Sequence, residues 1–165
     1  MKLSEIHHLA VGVADLERSL EFYEGVLGLR CTLRMPVGGA DAEQLLGLAP
    51  GTTGRSAYVQ GPRRIGQLEL IEWAPRRPRE ATRGGETGPF LIAFELLEGE
   101  LEECRQRLEQ RGIEFVGPQI SIVENYGPIE AIVTTDPDGT MVELLRLPSD
   151  EEVRAFRATP TGDER

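Results

Sequence analysis

Residues 7–29 read HHLAVGVADLERSLEFYEGVLGL, and this stretch decides the fold. From Ile6 to Val13 apolar and small residues dominate without a formal charge, as suits a short buried strand. Asp15 then offers a carboxylate to free backbone N–H groups at a helix N-terminus. Leu16, Leu20, Phe22, Tyr23, Val26 and Leu27 follow at helical spacing, and Gly28 ends the helix because glycine accepts a left-handed cap. The chain resumes as a strand over Leu29–Arg34.

The same pattern recurs, more weakly, in LIAFELLEGELEECRQRLEQRGIEFV from Leu91. A shift of 83 positions lays Leu91 on His8, and a shift of 84 lays Gly112 on Gly28. One residue of slippage between two helices of different length is tolerable. We therefore expect an internal duplication of one βαβββ unit. Arg55–Gln60 and Gln67–Glu72 are the expected third and fourth strands of the first copy, joined by GPRRIG. Ile129–Thr135 and Met141–Leu145 fill those places in the second, joined by the turn DPDG at 136–139. A short helix is expected near Asp41–Leu46, and Ser149 can cap another through DEEVRAF. The organisation reads as a first module over 5–73, a linker over 74–89, a second module over 90–147, and a C-terminal helix with a frayed tail over 148–165.

The chain has 165 residues, 39% of them hydrophobic, with a formal charge of -10 at pH 7. A chain of that size is ordinarily one soluble domain with enough apolar residues to bury a core, the βαβββ pattern makes its class α+β, and no apolar run is long enough for a membrane span. Without a secretory core after Met1, a cytoplasmic location is expected. The acidic balance excludes a nucleic-acid partner that relies on a basic surface. Four arginines in residues 74–89 read either as a solvated linker or as a flap that touches an anionic substrate. Cys31 and Cys104 lack CxxC spacing and are expected as packed, reduced thiols.

Strand alternation places Ile6, His8 and Ala10 on one face and His7, Leu9 and Val11 on the other. By this reading His7 is structural. Glu69 is in phase with Gln67 and Ile71, and Glu143 with Met141 and Leu145. A carboxylate flanked by apolar neighbours is costly in an interior unless something pairs with it. Two such glutamates at matching places in two repeats suggest a shared polar interior.

Residues 8–29 together with DPDGTMVELL at 136–145 resemble the vicinal oxygen chelate superfamily, which includes glyoxalase I, methylmalonyl-CoA epimerase, extradiol dioxygenases and bleomycin resistance proteins. The likeness spans about residues 5–147. It implies two βαβββ modules curled into an eight-stranded, cup-shaped mixed sheet with helices outside. It also implies a small-molecule substrate or ligand, a homodimer, and modules paired either within a chain or by swapping between chains.

Carried over position by position, the resemblance puts metal ligands at His8, Glu69 and Glu143. The fourth position falls on Leu91, which cannot coordinate. One imidazole and two carboxylates suit Mn, Fe, Co, Ni, Zn or Mg, held more weakly than by four ligands. Glyoxalase-like chemistry makes Glu143 the first candidate for the proton-transfer base and Glu69 the second. The leading expectation is thus a metal-assisted lyase or isomerase acting on a small oxygen-bearing metabolite. The alternative is a metal-free binding or antibiotic-sequestering protein of the bleomycin-resistance type. Leucine at position 91 argues against extradiol ring cleavage, which uses two histidines and a carboxylate. Tyr58, Trp73 and Phe90 are expected on a pocket wall beside Leu91. Tyr126, in the loop Asn125–Gly127, is expected at the rim.

Overall fold

The computed structural model describes residues 1, 3–77, 84–123 and 127–158. They form two compact units. One comprises Met1–Ala81 together with Asp136–Asp138; the other comprises Thr82–Thr135 and Gly139–Arg165. Each unit carries one four-stranded mixed sheet.

In the first unit β1 (His8–Val13) leads into α1 (Leu16–Leu20). Asp15 caps that helix, its Oδ1 accepting from the N–H groups of Glu17 and Arg18 at 3.0 and 3.1 Å. The Leu16 N–H donates to Glu72 Oε2 at 2.8 Å, so β4 also helps to satisfy the helix start. Beyond Leu20 the helix widens into a π-helical segment over Glu21–Val26, a feature the spacing alone does not announce. Gly28, with φ of 78°, makes the left-handed stop expected of it.

Three further strands follow: β2 (Arg30–Gly38), β3 (Thr53–Gln60) and β4 (Gln67–Ala74), with α2 (Ala40–Leu46) between β2 and β3. The sheet order is β1-β4-β3-β2; β1 runs parallel to β4, and the other pairs are antiparallel. One face buries Val13, Ala57, Val59, Leu68 and Leu70, and α1 packs on β3 and β4. Leu16, Leu20, Tyr23 and Val26 complete this core. Burial of each of its larger aliphatic side chains contributes about 1.5–3 kcal/mol.

The second unit repeats the plan with β5 (Leu91–Glu95), α3 (Leu101–Gln110), β6 (Phe115–Val123), β7 (Gly127–Thr135) and β8 (Met141–Arg146). Its sheet order is β5-β8-β7-β6, again with the first and fourth strands parallel. Leu101 and Leu108 of α3 are buried, as are Ile132 and Val142, while Cys104 is half-buried. Both cysteines are free thiols.

The last helix, α4 (Asp150–Ala158), opens on a capping box. The Glu152 N–H donates to Ser149 Oγ at 3.2 Å, and the Ser149 N–H donates to Glu152 Oε2 at 2.8 Å. Arg146 joins Glu130 on β7 to Glu152 on α4, which ties the helix to its sheet. No described helix is long and apolar enough to cross a membrane.

Candidate functional site

The registers of the first and fourth strands agree residue by residue between the two sheets. In the first unit His8 lies opposite Gln67 and Ala10 opposite Glu69; in the second Leu91 lies opposite Met141 and Ala93 opposite Glu143. Residues directly across a ladder share a face, and so do alternate residues along a strand. Leu91 and Glu143 therefore stand in the second sheet as His8 and Glu69 stand in the first.

The first unit brings three of the sequence-predicted residues together. His8 Nε2 lies 3.6 Å from Glu69 Oε2, and the His8 ring meets the Tyr58 ring edge-on with centroids 5.6 Å apart. Tyr58 is the cross-strand partner of Glu69, so its ring shares the face that carries the carboxylate. Burial first, and then Glu69, raise the Tyr58 pKa above the usual phenol range.

Glu69 is 9% exposed, and its burial is compensated. The Ser56 hydroxyl, itself 1% exposed, donates to Glu69 Oε1 at 2.7 Å. That bond occupies one carboxylate oxygen and leaves Oε2 facing the imidazole. Ser56 escaped the sequence reading. It lies two residues from Tyr58 and so shares its face, but only the pairing of β3 with β4 brings it to Glu69.

Trp73 lies on the same face two steps beyond Ile71, directly opposite Gly54. A Cβ at Gly54 would meet the Glu72 carbonyl oxygen at 2.7 Å and Trp73 Cε3 at 3.0 Å, so glycine is what lets the indole lie against β3. Leu33 pairs with Tyr58 and Met35 with Ser56, extending the face onto β2 as an apolar, exposed margin. Tyr126 lies outside the described residues, as does its neighbour Asn125.

The second unit lacks this polar support. Glu143 pairs with Val133 where Glu69 pairs with Tyr58, and Ala131 stands where Ser56 does. Glu143 is half-buried and makes no hydrogen bond or ion pair among the described residues. Leu91, half-buried, heads the neighbouring strand.

A metal ion can be tested against the donors present. Two donors about 2.1 Å from one divalent ion stand about 3.0–3.5 Å apart. His8 Nε2 and Glu69 Oε2, at 3.6 Å, are within a small side-chain adjustment of that spacing. Among the described residues no group of three His, Cys, Asp or Glu side chains forms a ready metal cage. The pair thus fits an ion that takes its other positions from a further carboxylate, water or substrate oxygens.

Residues 5–144 match the sequence model of the Glyoxalase/Bleomycin resistance protein/Dioxygenase superfamily. The chain belongs to this superfamily. Among relatives in the superfamily's range, a 2-epi-5-epi-valiolone epimerase from Actinomyces sp is 29% identical over 152 residues, covering 87% of this chain and 80% of that one. A glyoxalase family protein from Bacillus cereus superposes with a TM-score of 0.74 at 22% identity, covering 90% of this chain and 97% of the other. A glyoxalase/dioxygenase from Nostoc punctiforme gives a TM-score of 0.61 at 21% identity, covering 88% and 92%. At such identities the structural likeness speaks for the glyoxalase-type fold, which hosts several chemistries.

Proposed function

We propose that the protein is a metal-assisted isomerase of the vicinal oxygen chelate type, acting on a small metabolite that carries a carbonyl next to a second oxygen. The observation that carries this reading is the buried Glu69 carboxylate, held by Ser56 with one oxygen turned to His8 Nε2. His8 and Glu69 are the residues that would hold the ion. Membership of the superfamily and the likeness to an epimerase support the same class.

The two glutamates divide the work because their surroundings differ. Glu69 accepts from Ser56, which fixes its orientation as a ligand needs. Glu143, with Val133 and Ala93 across the ladders, has no such donor among the described residues and is the candidate proton-transfer base. A divalent ion bound at His8 and Glu69 would supply Lewis-acid polarisation of the carbonyl oxygen. The reaction class is removal of the proton from the adjacent carbon by a carboxylate, with the electron pair delocalised into the carbonyl. Water then returns a proton to the opposite side of the carbon while the carboxylate gives its own to solvent, so the product is the epimer.

The test is metal analysis of protein purified without chelators, followed by proton exchange on small hydroxy-carbonyl compounds in D2O, read by NMR. Glu69→Gln should lose metal, whereas Glu143→Gln should keep it and lose exchange. Substoichiometric metal, no stabilisation by Mn, Ni or Zn, and no exchange would together remove the reading.

A second reading is a metal-free binding protein of the bleomycin-resistance kind. Leu91 at the place of His8 favours it, as do Leu33 and Met35, which are 50% and 41% exposed on the face that carries Glu69. It requires saturable ligand binding that chelators leave unchanged, with no exchange.

A further inference from the structure

Strand alternation would send the rings of His7 and His8 to opposite faces, yet they meet. His7 Nδ1 and His8 Nδ1 are 2.9 Å apart, and the rings are edge-to-face with centroids separated by 5.2 Å. The reason is local: β1 begins at His8, so His7 lies before the ladder and its ring is free of the pleat. Its backbone is nonetheless fixed, because the His7 carbonyl oxygen accepts from the N–H groups of Gly66 and Gln67, each at 3.1 Å. Gly66 has φ of 74°, the turn conformation that brings its N–H there.

A contact of this length between two neutral imidazole nitrogens holds one hydrogen, so one ring donates and the other accepts. If His8 donates from Nδ1, its Nε2 carries a lone pair toward Glu69; if His7 donates, His8 Nε2 carries the hydrogen and cannot ligate. The geometry points to His7 as a positioning residue for His8: its Nδ1 accepts the His8 Nδ1–H, fixing the tautomer and ring angle in which Nε2 is free to bind a metal. Histidine ligands generally have such a partner on their second nitrogen, and losing it costs about 10- to 100-fold in metal affinity. The inference rests on the proposed metal-binding role of His8 and adds to it a residue on the far side of the ring from Glu69.

Two variants and two readouts test it. Zn affinity is measured by competition with a chromophoric chelator for the wild type, His7→Phe and His7→Gln. The ring-nitrogen spectra of His8 are recorded by 15N NMR with and without Zn. His7→Phe, whose ring has no acceptor, should bind Zn about 10- to 100-fold more weakly. His7→Gln, whose amide oxygen can accept, should recover most of the loss. In the Zn-loaded wild type, His8 should show a protonated Nδ1 and a metal-shifted Nε2. Unchanged Zn affinity in a folded His7→Phe protein would overturn the role of His7 while leaving His8 as a ligand. A wild type that binds no Zn would overturn both, and equal losses in the Phe and Gln variants would reduce His7 to a packing contact.

Discussion

Tyr23→Phe should destabilise the protein through a single oxygen atom. The Tyr23 hydroxyl donates to Asp136 Oδ2 at 2.9 Å, with Tyr23 fully buried and Asp136 4% exposed. Asp136 Oδ1 accepts from the Asp138 N–H at 2.9 Å, and Asp138 Oδ2 accepts from the Ala14 N–H at 3.0 Å. The turn 136–138 is thereby fastened into the first unit where β1 passes into α1. Phenylalanine keeps the ring and its edge-on contact with Phe22 but removes one donor from a buried carboxylate. Hydrogen bonds to charged groups contribute about 1.5–3 kcal/mol, so a loss of about 2 kcal/mol is expected. For a chain of this size that lowers Tm by about 4–8 °C.

The pH dependence has a definite sign. Burial first, and then Asp136, push the Tyr23 pKa above its ordinary value, so the folded state favours the neutral phenol. Its contribution is complete below the unfolded pKa of about 10 and is lost as pH rises beyond that toward the folded value. Urea unfolding of wild type and Tyr23→Phe should show a constant gap between about pH 7 and 9, narrowing above about pH 10. A gap below about 0.5 kcal/mol at neutral pH would refute the reasoning. A gap that widens in alkali would refute the sign.

Other outcomes follow from the second unit. Leu91→His would place an imidazole in the register position that His8 occupies, beside Glu143 through Ala93, and should raise Zn or Ni affinity about tenfold or more. An unchanged affinity in a folded variant would mean that position 91 does not serve the metal. Glu152 is held down to about 2, first by Arg146 and then by Ser149. Its contribution is full above the unfolded carboxylate value of about 4.3 and disappears as pH falls through about 2. Hydrogen exchange at α4 amides should accelerate over that window in the wild type, whereas Arg146→Met should exchange fast already at neutral pH. Identical profiles for the two proteins would sink the assignment.

Much of the fold was legible because its signals are local. Asp15 as a cap, Gly28 and Gly112 as helix stops, and the spacing of Leu101 and Leu108 each act over a few residues. The repeat turned those local readings into a topology, and the two sheets reproduce the 83-position shift in their registers. The π-helical segment was not legible, since its one-residue widening leaves the apolar spacing nearly unchanged.

The sequence by itself determined the βαβββ repeat, the membership of His8 and Glu69 in matching strand positions, and the contrast with Leu91. These depend on chain-local propensity and on periods of two and 3.6 residues. Only the tertiary structure decided that Ser56 holds Glu69, with Tyr58 across the ladder, while Ala131 and Val133 stand at the corresponding places beside Glu143. It likewise decided that His7 turns toward His8. Such contacts depend on which strands pair and in which register, and on where a ladder begins. Those are settled by long-range packing, which joins residues that no local pattern links.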